Sequence, residues 1–137
     1  MEIWRIPSGG GQAQQITQNG GFLAIESTDG KTLFYAYETN IFARQLADGS
    51  ERRILESATQ FSFAPVEDGI FYIGLHGPDA GHFPLQFYDF ATGTSRLLTY
   101  LEGSFELGFS VSPDRKTILY GSTVHSVYDL MMIENFR

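Results

Sequence analysis

Apolar positions along the chain fall into two alternating phrases, and the alternation predicts its elements. The first phrase runs Phe22-Leu23-Ala24-Ile25, a polar turn Ser27-Thr28-Asp29-Gly30, and then Leu33-Phe34-Tyr35-Ala36. It returns as Phe61-Ser62-Phe63-Ala64, a turn at Glu67-Asp68-Gly69, and Ile70-Phe71-Tyr72-Ile73. A third copy reads Phe109-Ser110-Val111-Ser112, Pro113-Asp114-Arg115, and Ile118-Leu119-Tyr120-Gly121. Each predicts a hairpin, because Asp bonds its own backbone in a turn and Gly supplies a positive φ. Pro65 and Pro113 are expected just after the first strand, where they cost no ladder bond. The second strand is apolar at consecutive positions, which predicts burial on both faces.

The second phrase is a half-polar strand, a Gly-containing turn and a more polar strand. Its copies start at Ile3-Trp4-Arg5-Ile6, Ile41-Phe42-Ala43-Arg44 and Leu85-Gln86-Phe87-Tyr88; a fourth, Leu130-Met131-Met132-Ile133, stops short. Rising polarity marks the outer edge of a sheet. No segment has a sustained helical period, Glu51 to Gln60 included. Four strands in a repeat of roughly 40–45 residues is the spacing of a β-propeller blade. The expected fold is therefore all-β, about three four-stranded antiparallel blades of a partial propeller, with a β-sandwich as the alternative. Numbered from the inside out, the strands divide the chain into an outer half-blade (1–17), two blades (18–56 and 57–101) and an incomplete blade (102–137).

Composition narrows the function classes. The chain has 137 residues, 42% hydrophobic and only 18% charged, so it can build a core. A net charge of −7 argues against nucleic-acid binding and against docking on anionic lipid. Cysteine is absent, which removes disulfides, thiolate metal sites and thiol nucleophiles. The N-terminal residues do not have the pattern of a signal peptide, and no apolar run is long enough to span a membrane. Compartment stays open: periplasmic or extracytoplasmic if a parent protein is exported, with the signal outside this chain.

Candidate chemistry is sparse. Gly30-Lys31-Thr32 lacks the upstream glycine and following helix of a phosphate loop. Gly108-Phe109-Ser110-Val111-Ser112 has serine where a nucleophile elbow needs its last glycine. The stretch from Gly74 to Pro84 interrupts its blade between second and third strands, carrying His76, Asp79 and His82. Two histidines and an aspartate can ligate a divalent metal, but three glycines make a rigid cage costly. The loop is expected to recognise a ligand or partner, since insertions in repeat proteins gather on binding faces. His125 lies in the corresponding loop of the last blade. Glu67, Asp68, Glu102 and Glu106 read as solvated carboxylates, and Trp4 as a residue packing between blades. No catalytic residue, metal or cofactor is expected.

The phrase Val111-Ser112-Pro113-Asp114 with Ile118-Leu119-Tyr120, and its companion Glu2-Ile3-Trp4-Arg5-Ile6 with Gly9-Gly10-Gly11 and Ile16-Thr17, resemble the TolB-like and WD-type β-propeller repeats of bacteria. The tail Asp129 to Arg137 looks like the C-terminus of large proteins carrying such propellers. Ser27-Thr28-Asp29-Gly30 departs from the pattern by lacking the proline, and Ala64 to Gly69 by an altered turn. The resemblance implies a C-terminal portion of a propeller and says little about activity. The expected function is a non-catalytic scaffold for protein or ligand interaction. The alternative is part of a saccharide- or peptide-binding or hydrolysing propeller whose site needs further blades. Because about three blades cannot close a ring, the expected partner is a second copy, giving a homodimer of about six blades. Leu130–Ile133 is expected to keep its own blade, with the partner's N-terminal hairpin docking outside it.

Overall fold

The structure, a computed structural model, describes residues 1–105 and 107–123. Among them there is no helix, and twelve strands follow one another through the chain. A short hairpin comes first, β1 (Trp4–Arg5) with β2 (Gln14–Gln15). Next is a four-stranded antiparallel sheet of β3 (Phe22–Glu26), β4 (Thr32–Tyr37), β5 (Asn40–Gln45) and β6 (Glu51–Leu55). A second four-stranded sheet holds β7 (Ala58–Val66), β8 (Gly69–Gly74), β9 (His82–Asp89) and β10 (Thr94–Glu102). The hairpin of β11 (Phe109–Val111) and β12 (Ile118–Tyr120) follows. Every sheet is a meander in which strands pair only with their neighbours in sequence.

Two of the three consecutive apolar runs are buried as the pattern demands; in the third, Ile118 is half-buried and Leu119 and Tyr120 are exposed. All six residues of β8 and the four central residues of β4 are buried. Phe34, Ala36, Ile41, Ala43, Leu55, Ala58, Phe63, Ile70 and Tyr72 form one core cluster drawn from both four-stranded sheets. Phe90 joins it by stacking on Phe34, with centroids 5.6 Å apart and planes 8° apart. Each fully buried aliphatic or aromatic side chain there contributes about 1.5–3 kcal/mol. The outer strands β6 and β10 are mostly exposed. Strand β7 lies against β3, β4 and β5 of the preceding sheet and against β11 of the following hairpin.

The repeated turn reappears atom for atom. Asp29 Oδ1 accepts from Ser27 Oγ (2.7 Å) and Lys31 N (3.1 Å), and Ser27 Oγ accepts from Thr32 N (2.9 Å). Asp114 Oδ1 accepts from Ser112 Oγ (2.6 Å) and Lys116 N (3.1 Å), and Ser112 Oγ accepts from Thr117 N (3.0 Å). The fourth position is left-handed in both, Gly30 at φ 67° and Arg115 at φ 59°. These bonds hold both aspartate pKa values below the usual carboxylate value, the serine hydroxyl being the main cause.

The middle copy differs on two points. Pro65 lies inside β7, paired with Ile70, and not after the strand. It is tolerated because β7 is the edge of its sheet and the missing N–H faces away from the ladder. Gly69 has no positive φ; it is glycine because a Cβ would collide with the Tyr88 carbonyl oxygen and the Phe87 ring. The fourth companion strand, Leu130–Ile133, lies outside the described residues.

Candidate functional site

The loop singled out by the sequence, 75–81, joins β8 to β9. Its base is tied down by backbone bonds from Leu75 N to Ser57 O (2.8 Å) and from Gly103 N to Gly81 O (3.2 Å). Gly81 takes φ 96°, which brings the chain back into β9 at His82. Phe83 then packs edge-on against Phe105, with centroids 5.3 Å apart.

The structure brings together two of the three loop residues and adds a third partner. His82 Nδ1 bonds Asp79 Oδ1, and His82 Nε2 faces Glu102 Oε1 at 3.3 Å. With a carboxylate at each nitrogen, both nitrogens donate only when the ring is an imidazolium. The Asp79 carboxylate, and secondarily Glu102, therefore raise the His82 pKa above its ordinary value of 6.5. His76 is exposed and makes no side-chain hydrogen bond among the described residues. Among the described residues no three His, Asp or Glu side chains, these included, are placed so that they could hold a metal ion together. His125 lies outside them, although Ser122 and Thr123 lie beside the cluster: Ser122 Oγ donates to Glu102 O at 3.2 Å.

Glu102 was legible as a carboxylate but not as a partner of His82. The two are cross-strand neighbours only in the register left by a bulge between Leu97 and Thr99. That register has no signature in residue types.

The other singled-out residues take structural places. Lys31 sits in the β3–β4 turn and Ser112 in the β11–β12 turn, its hydroxyl bonded to Asp114. Glu67 and Asp68 form the β7–β8 turn, where Arg115 Nη1 meets Asp68 Oδ1 at 2.6 Å and links neighbouring turns. Trp4 is not packed between sheets: it is 58% exposed. It stands beside a groove of about 300 Å³ between the β1–β2 hairpin and the face of the β3–β6 sheet. A second cleft, about 370 Å³, lies between the β3–β4 and β7–β8 turns over Phe34 and Phe90.

No model of a protein family, no curated protein and no solved structure matches the chain.

Proposed function

We propose that the chain is a non-catalytic scaffold of TolB-like or WD-type β-propeller blades that associates with a second copy of itself. The observation that carries this reading is the succession of first strands. Strand β7 packs against both β3 and β11, and each of the three begins a sheet or hairpin that continues by meander. A stack of this kind, flanked among the described residues by two-stranded hairpins, suits a ring shared between two chains, with about six blades in all. The β8–β9 loop, carrying His76, Asp79 and His82, is the surface through which such a ring would recognise a protein or small ligand. The Asp79–His82–Glu102 arrangement supports a positioning role, because both ring nitrogens face carboxylates and neither faces a nucleophile.

Size-exclusion chromatography with light scattering tests the reading. A dimer is expected, and a clean monomer at tens of micromolar overturns the closed ring. The non-catalytic part fails if the protein turns over esters, glycosides or peptides and Ser110→Ala or Ser112→Ala abolishes that turnover.

A further inference from the structure

We infer that the apolar groove beside Trp4 receives the β11–β12 hairpin of a second copy of this chain. The inference rests on the self-association proposed above and names the surfaces that carry it.

The groove is built from Ile3, Trp4, Ile6, Ile16, Ala24 and Leu33, with the Arg5–Glu26 ion pair (3.5 Å) at its rim. It flanks β3, the earliest of the series β3, β7 and β11. Elsewhere the molecule shows what stands in that position. Strand β7 packs on β3 and β4, and β11 packs on β7, so each later first strand lies against the one before it in the series. Continuing the series backwards from β3 calls for one more first-and-second-strand hairpin.

The β11–β12 hairpin fits that requirement. Its apolar phrase matches those of β4 and β8, yet Leu119 is 66% exposed and Tyr120 44%, and nearby Leu107 is 69% exposed. In one molecule this hairpin packs on β7, whereas the groove lies between the β1–β2 hairpin and the β3–β6 sheet. A second copy can present the same hairpin to the groove. The strand patterns also complement one another. The β1–β2 hairpin has the third-and-fourth-strand phrase and β11–β12 the first-and-second. Set side by side, they make the four-stranded meander already present twice in each chain. The contact joins two different surfaces, so it closes only if the ring is completed at both ends.

The test uses the protein's single tryptophan, Trp4. In the full-length chain the dimer should have a blue-shifted emission shielded from acrylamide, and dilution to monomer should raise quenching several-fold. Leu119→Asp and Trp4→Lys change exposed residues on opposite surfaces, and each alone should give a monomer by light scattering. Mixing the two variants leaves one intact groove facing one intact hairpin, so the mixture should associate again and shield the Trp4 of the Leu119→Asp copy. A dimer whose Trp4 is equally quenchable at all concentrations overturns the inference and leaves self-association standing. Variants that do not complement each other overturn it as well. A monomer overturns both. A monomer with a shielded Trp4 that becomes quenchable on removal of residues 124–137 assigns the groove to the chain's own tail and overturns the inference.

Discussion

The Tyr72 hydroxyl on β8 reaches past β9 to Ser95 Oγ on β10, 2.9 Å away, and also bonds Gln86 Oε1 on the strand between. One side chain thereby ties three strands of a sheet together at the level of a buried ring. The amide oxygen only accepts, so Tyr72 donates to Gln86 and accepts from Ser95. Burial raises the Tyr72 pKa, and the serine bond partly offsets it. Tyr72→Phe keeps the ring and removes the tie; a loss of about 1 kcal/mol is expected by urea denaturation. An unchanged midpoint would mean that water replaces the hydroxyl at no cost.

Arg115 holds a left-handed conformation that costs a side chain about 1 kcal/mol relative to glycine. In the equivalent turn that position is Gly30, with φ 67°. Arg115→Ala keeps the strain and loses the ion pair with Asp68; Arg115→Gly loses the pair but relieves the strain. The glycine variant should therefore be more stable than the alanine variant by about 1 kcal/mol. Equal stabilities in parallel denaturation curves would refute the left-handed assignment.

Gly69 and Gly30 are required for different reasons, and alanine separates them. At Gly30 a Cβ meets open space and the cost is conformational, about 1 kcal/mol. At Gly69 a Cβ meets the Tyr88 carbonyl and the Phe87 ring, and the strands must separate. Gly69→Ala should cost more, about 1–3 kcal/mol or beyond, with altered near-ultraviolet dichroism from the Phe71–Phe87 contact. The reverse order of stabilities would contradict the β8–β9 register, in which Gly69 faces Asp89 and Ile70 faces Tyr88.

The His82 tether should depend on pH. Its folded pKa is raised, chiefly by Asp79, so its contribution is complete below the ordinary value of 6.5 and is lost as pH rises through the folded value. Amide exchange in residues 76–81, corrected for intrinsic pH dependence, should be slower on the acid side of that transition than on the alkaline side. His82→Gln should abolish the difference, while His76→Gln should leave it in place. A pH-independent pattern in the unaltered chain would show that the clasp does not order the loop.

The buried half of the fold was written in runs such as Ile70-Phe71-Tyr72-Ile73, because a strand covered on both faces has no room for polar residues. The turns were equally legible, since Ser-x-Asp closes its own hydrogen bonds whatever surrounds it. What the residue types did not carry was relationship. Ile118-Leu119-Tyr120 has the same pattern as the buried runs, but its second and third residues are exposed: apolar character prepares a face for cover without supplying the cover. Pro65 looked like a strand terminator, yet an edge strand accommodates it. His82 and Glu102 meet only because of one bulge.

The meander has a further consequence for how such a chain can change over generations. Each four-stranded sheet is encoded by one uninterrupted stretch, and none of its ladders borrows a strand from elsewhere among the described residues. Duplicating or deleting one stretch in frame would leave every hydrogen-bonded register in the others intact. Length could then vary in whole steps of about one sheet, with only the joints between sheets under renegotiation. Each step would change how many sheets one chain contributes, and with it how many copies the proposed closed ring needs.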